Sequence, residues 1–77
     1  MAKPTRVTNE IRSLRFRHGE MTQAELADRI GVPRQTVIAI EQGRYSPSLE
    51  MAFRIARVFG VALDDVFQYP DPEGEAS

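Results

Sequence analysis

At 77 residues the chain is one domain, close to the lower limit at which a hydrophobic core can sustain itself. It has no cysteine and a single histidine, His18, which excludes a disulfide framework and cysteine-ligated zinc. The formal net charge of −1 hides a segregation: residues 1–57 hold all ten Lys and Arg against six acids, whereas residues 58–77 hold five acids and no base.

Glycine and proline divide the chain into five helical segments. The first is expected over Thr8–His18, ahead of Gly19, with Val7, Ile11, Leu14 and His18 on one arc and Phe16 opposite. The second runs over Thr22–Ile30 and ends at Gly31; Thr22 and Glu25 have the spacing of a capping box. The third covers Pro33–Gln42, with Val37 and Ile40 inward, Glu41 at the edge of that arc, and Arg34, Gln35, Ile38, Ala39 and Gln42 over the outer face. The fourth, Ser48–Phe59, starts at a good N-cap after Pro47. Its apolar arc (Leu49, Met51, Ala52, Phe53, Ile55, Ala56, Val58 and Phe59) is wider than one core contact uses. The fifth is Ala62–Phe67, before Pro70. No segment alternates as a strand does, so the expected fold is all-α. Residues 1–7 read as a flexible arm, 8–67 as the domain and 68–77 as a disordered acidic tail.

No apolar run approaches the roughly 20 residues of a membrane span. Met1-Ala2-Lys3-Pro4 opens without the apolar stretch of a signal peptide, so a cytoplasmic protein is expected. No nucleophile has a base beside it, and there is no metal cluster and no phosphate-binding loop. Neither an enzyme nor a cofactor is expected.

The informative stretch is Gln23 to Ile40. Two short helices joined through a three-residue turn containing glycine form a helix-turn-helix pattern. Ala27 is small enough for the third helix to cross close to the second, Gly31 can take the turn conformation, and Val37 packs back with Leu26, Ile30, Val32 and Ile40.

On these residues the chain resembles the Cro and phage-repressor type of helix-turn-helix domain, the xenobiotic-response-element family, in the form of a compact single-domain bacterial regulator. The resemblance covers about residues 8–67. It includes Leu14-Arg15, Thr22-Gln23-Ala24-Glu25-Leu26-Ala27, Gly31-Val32, Ile40-Glu41-Gln42-Gly43 and Pro47-Ser48-Leu49. It implies a five-helix, lambda-repressor-like fold whose third helix enters the major groove of DNA. By position, Arg34, Gln35, Ile38 and Ala39 would face bases, and Thr22, Gln23, Thr36, Arg44 and Tyr45 the phosphate backbone. Arg15 and Glu41 match a family ion pair between the first and third helices. Pro33 and Ala62 depart from the family by lacking capping side chains, and Glu20 looks like an extra residue before the second helix.

Side-chain chemistry agrees with those roles: a guanidinium pairs with guanine and a carboxamide with adenine, in each case through two hydrogen bonds. Ile38 fits either a thymine methyl or burial under a neighbour. Phe16 is expected to pack locally under the Glu20 loop, and His18 to sit at a helix end. The surplus apolar side of the fourth helix, with Met51, Val58, Val66, Phe67 and Tyr69, reads as a homodimer interface, the alternative being that the fifth helix and tail cover it. The function expected is a DNA-binding transcriptional regulator, repressing as a homodimer on a palindromic operator. Two rivals are a DNA-binding antitoxin with a toxin partner and an interaction adaptor that keeps the fold.

Overall fold

The computed structural model describes residues 5–70. Its elements are β1 (Thr8–Asn9), α1 (Ile11–Arg17), α2 (Gln23–Ile30), α3 (Arg34–Glu41), α4 (Leu49–Phe59), α5 (Leu63–Val66) and β2 (Phe67–Gln68). The five expected helices are present. To them is added a two-residue antiparallel pairing, Thr8 opposite Gln68 and Asn9 opposite Phe67.

That pairing corrects the start of the first helix, which begins at Ile11 and not at Thr8. Asn9 is the cause. Its side-chain oxygen accepts from the Ile11 N–H at 3.1 Å, and its amide donates to the Ile40 carbonyl at 3.0 Å. An Asn that bonds its own following backbone competes with helix formation. The Glu10 N–H then donates to the Val66 carbonyl at 2.8 Å, fixing the start of α1 to the end of α5.

The boundaries of the arm and the tail shift accordingly. The Thr5 N–H donates to the Gly43 carbonyl at 3.2 Å, so the segment before residue 8 is partly docked. Gln68 belongs to β2 and bonds the Asp64 carbonyl through its amide. Residues 1–4 of the arm and 71–77 of the tail lie outside the described residues.

One core gathers the inward faces of all five helices. Ile11 and Leu14 meet Leu26, Ala27 and Ile30, Val37 and Ile40, Ala52, Ile55, Ala56 and Phe59, and Val66. Met21, in the loop before α2, joins them at 6 % exposure although helical periodicity gives it no place. The Gly19–Glu20 turn puts it there: both residues are left-handed, at φ 75° and 56°, and the Met21 N–H returns to the Arg15 carbonyl at 2.9 Å. Phe16 does not pack under that loop as expected; it is 69 % exposed. His18 ends α1 with Nδ1 2.9 Å from the Leu14 carbonyl and Nε2 3.1 Å from the Phe59 carbonyl, so one imidazole spans the C-termini of α1 and α4.

The caps follow the sequence where it provides them. Thr22 and Glu25 exchange both capping-box hydrogen bonds, at 2.8 and 3.0 Å, and the Ser48 hydroxyl accepts from the Met51 N–H at 3.1 Å. Pro33 gives α3 no side-chain cap. At α5, where Ala62 cannot accept, Asp65 reaches back to the Ala62 N–H at 3.3 Å. Among the described residues no helix is long and apolar enough to cross a membrane.

The turn between α2 and α3 hinges on Gly31, left-handed at φ 77°, with a Cβ there meeting nothing nearer than the Arg54 guanidinium at 4.0 Å. Space is thus no obstacle to a side chain; backbone conformation is. Gly31→Ala is expected to cost about 1–2 kcal/mol, the left-handed penalty of an L-residue. For a domain of this size that lowers the melting midpoint by roughly 5–15 °C. Thermal unfolding followed by circular dichroism checks it, and an unchanged midpoint would show that the turn relaxes at no cost.

Candidate nucleic-acid interface

α2 and α3 present one side of the molecule as a helix-turn-helix. Leu26, Ala27 and Ile30 face Val37 and Ile40 inside, with Val32 partly buried against the same core. The Val32 N–H donates to the Ala27 carbonyl at 3.0 Å, and Arg54 of α4 donates to the Ile30 carbonyl at 3.3 Å. The end of α2 is therefore held from both sides, which sets the angle at which α3 leaves.

The outer face of α3 is graded. Arg34 and Gln35, in its first turn, are exposed; Thr36, Ile38 and Ala39 are half-buried. Ile38 is thus partly packed against the protein and partly open. Below α3 an open groove of about 630 Å³ is lined by Asn9, Arg12, Arg15, Thr22, Gln23 and Arg34, among others. Arg12 was missed by sequence reasoning, because nothing in helical periodicity marks a solvent-facing arginine of α1 as a wall of this groove. Asn9 was missed for a similar reason: its partner, Ile40, is 31 residues away.

At the back of the groove lies an ion pair between α1 and α3. The Arg15 guanidinium grips the Glu41 carboxylate with Nε on Oε2 at 2.7 Å and Nη2 on Oε1 at 3.2 Å, and Nη1 donates to the Met21 carbonyl at 2.8 Å. The side chains are 13 % and 9 % exposed. Two further hydrogen bonds lead outward. Gln23 Nε2 donates to Glu41 Oε1 at 3.2 Å, and Arg34 Nη2 donates to Gln23 Oε1 at 3.3 Å.

The remaining positions separate clearly. Thr22 is exposed at the start of α2, with its hydroxyl oxygen accepting from the Glu25 N–H and its hydroxyl hydrogen given to no acceptor among the described residues. Arg44 is exposed just after α3, makes no ion pair among the described residues, and has its N–H on the Ala39 carbonyl at 2.9 Å. Tyr45 beside it is 43 % exposed. Of the residues expected at a homodimer interface, Val66 is corrected: at 0 % exposure it belongs to the intrachain core and can touch nothing outside. Met51, Val58 and Phe67 are partly buried against that core, and Tyr69 is open to solvent. The most exposed apolar side chains of α4 are others, Leu49 and Phe53, at 66 % and 50 %. Among the described residues no three His, Cys, Asp or Glu side chains group as metal ligands.

A helix-turn-helix family model matches residues 11–66, from the first residue of α1 to the last of α5. An uncharacterized HTH-type transcriptional regulator of Methanocaldococcus jannaschii is 51 % identical over 65 residues, covering 84 % of this chain and 97 % of that one. The cryptic phage CTXphi transcriptional repressor RstR of Vibrio cholerae is 36 % identical over 59 residues, covering 77 % of this chain and 52 % of its own length. A crystal structure from Bacteroides fragilis superposes with a TM-score of 0.70 at 21 % identity, covering 80 % of this chain and 98 % of that one. The relatives come from archaea and bacteria alike.

The two ion pairs found among the described residues differ in solvent access and in geometry, and that difference predicts their worth. Removing one member of the Arg15–Glu41 pair leaves a charge stranded out of water, at a cost of about 3–5 kcal/mol. A single core in a domain of about 70–80 residues supplies only about 3–5 kcal/mol in all. Glu41→Ala is therefore expected to leave the chain largely unfolded or barely stable in a denaturant titration. The Glu50–Arg54 pair, at 3.4 Å with side chains 79 % and 53 % exposed, is screened by water; Glu50→Ala should change stability by less than about 1 kcal/mol. Equal losses from the two substitutions would refute this ranking.

Proposed function

The chain belongs to the helix-turn-helix family of DNA-binding transcriptional regulators, and from that premise we propose that it reads a specific duplex sequence, acting as a homodimer that occupies a palindromic operator and represses transcription. The observation that carries the reading is the graded face of α3, with Arg34 and Gln35 exposed in its first turn. The N-terminal part of a recognition helix is the part that reaches base edges. Arg34 has the donors for guanine, Gln35 has the donor and acceptor for adenine, and the free flank of Ile38 fits a thymine methyl. Thr22, Gln23, Thr36, Arg44 and Tyr45 surround this face as backbone contacts. Ala39, unable to hydrogen-bond, contributes shape alone.

Dimerisation is supported by one apolar face. A shallow cleft lined by Leu49, Ala52, Leu63 and Phe67 and another lined by Leu63, Phe67 and Tyr69 share Val7, Leu63 and Phe67, so they form a continuous surface from α4 to β2. Two-fold proteins read two half-sites, which compensates for the few contacts one eight-residue helix makes. Repression is supported by the name of the Vibrio cholerae relative, a transcriptional repressor. Occupation of a promoter needs no further domain.

Selection from a random duplex pool supplies the operator for two measurements. Gln35→Ala should cost about 1–3 kcal/mol on that operator and much less on random duplex. Arg44→Ala should weaken both about equally and reduce the salt slope by about one unit. The reading fails if Gln35→Ala lowers both affinities by one factor and leaves the preferred sequence unchanged.

The dimer is tested separately. Phe53→Asp places a charge beside the apolar face, about one helical turn after Leu49 on α4, at a residue half open to solvent, so the fold should survive. Light scattering is expected to show a monomer with native circular dichroism, and a folded Phe53→Asp variant that remains dimeric would move the interface elsewhere.

A further inference from the structure

Asn9 belongs to two structures at once. Its backbone lies in β1 opposite Phe67 of β2, and its side chain reaches the last turn of α3. The Ile40 carbonyl there is among the last four of its helix, which lack a regular intrahelical partner. It accepts from the Gly43 N–H and from the Asn9 amide, each at 3.0 Å. Only one orientation of the carboxamide serves, with oxygen on the Ile11 N–H and nitrogen on the Ile40 carbonyl. The same segment is fastened a second time, by the Thr5 N–H on the Gly43 carbonyl at 3.2 Å. Between these two points Val7 lines both apolar clefts, together with Leu63 and Phe67. Residues 5–9 therefore lie between the end of α3 and the apolar face. The other ties of α3 lead elsewhere: its backbone packs mainly against α2, and Glu41 binds Arg15 of α1.

We propose that Asn9 is a positioning residue that fixes α3 relative to the apolar face through which two copies meet, and so fixes the half-site spacing the protein accepts. The proposal rests on the homodimer reading above. One added base pair moves the second half-site by about 3.4 Å along the duplex and turns it by roughly 34–36°. A dimer whose recognition helices are tied to its interface cannot follow both displacements. A dimer with a looser joint follows part of them and tolerates the wrong spacing. Asn9 also lines the groove beside α3, so a contact to the phosphate backbone is the competing role. Spacing separates the two, because a backbone contact carries no sequence information and is made on any duplex.

The experiment measures binding of the full chain, Asn9→Ala and Arg44→Ala to the selected operator, to the same half-sites set one base pair closer or farther apart, and to random duplex. The fold should survive Asn9→Ala, because the β1–β2 pairing and the Glu10–Val66 bond use backbone alone. Thermal melting checks this. Asn9→Asp, which keeps the Ile11 bond and loses only the donor to Ile40, serves if Asn9→Ala does not fold. The full chain should favour its own spacing on the order of a hundredfold, the cost of one or two lost base contacts. Asn9→Ala should compress that ratio to about tenfold or less, with affinity for random duplex unchanged. Arg44→Ala should lower every affinity about equally and keep the ratio. The positioning role is overturned, and the dimer reading stands, if Asn9→Ala keeps the ratio or if Arg44→Ala compresses it as much. If the full chain itself shows no spacing preference, the homodimer reading falls and the role of Asn9 with it.

Discussion

Arg15 and Glu41 bring opposite charges within 2.7 Å of each other where water reaches little of either side chain. Withdrawing each from solvent is expensive, and close geometry with additional hydrogen bonds offsets it. All three guanidinium nitrogens and both carboxylate oxygens have partners, distributed over the motif. Arg15 belongs to α1, the Met21 carbonyl to the loop before α2, Gln23 to α2 and Glu41 to α3. Van der Waals packing alone would leave α3 poorly specified, since it buries only Val37 and Ile40 and these tolerate some rotation about the helix axis. A bidentate ion pair does not. The angle at which Arg34 and Gln35 face outward is set from the far end of their own helix.

α4 plays the complementary part. Arg54 holds the end of α2 through the Ile30 carbonyl, and the carbonyl of Phe59 meets His18 at the end of α1. The inward side of α4 supplies Ala52, Ile55, Ala56 and Phe59 to the core, while Leu49 and Phe53 remain outside. One helix thus joins the helix-turn-helix to the exposed apolar face. Two copies meeting through that face would have their recognition helices set apart by rigid elements and not by loops.

What could be read in the sequence was local. Ala27, Gly31 and Val37 specify the crossing of α2 and α3 within eleven positions, and Thr22 with Glu25 specifies a cap within four; helical spacing alone makes these visible. The Arg15–Glu41 pair was reached through family resemblance, since no periodicity links residues 26 apart. The Asn9 hydrogen bonds, the bridge through Gln23 and the short sheet were not legible, because each depends on side-chain direction or on partners far along the chain. A two-residue strand has no alternation to detect. Val66 shows a further limit: in a four-residue helix an apolar residue announces burial but not against what, and here it turns to the core. Phe16 lies outside, against expectation, and Met21 inside, where no expectation placed it, because two successive left-handed residues, Gly19 and Glu20, rotate the chain between them.

The pairing of β1 with β2 has a consequence for the making of the protein. The Thr8 and Gln68 partners are 60 residues apart. On a ribosome adding about 5–20 residues per second, the second strand is made several seconds after the first. The helices between them form in microseconds or less once free to do so. From the completion of α3 at Glu41 until β2 is made at Phe67–Gln68, the chain therefore carries a nascent helix-turn-helix whose α3 lacks the Asn9 clasp in its final setting and whose first strand has no partner. Closure is the last event, and it is slow in translation, not in folding. Until β2 emerges, the molecule is an assembly of local helices awaiting the residues that fasten its two ends.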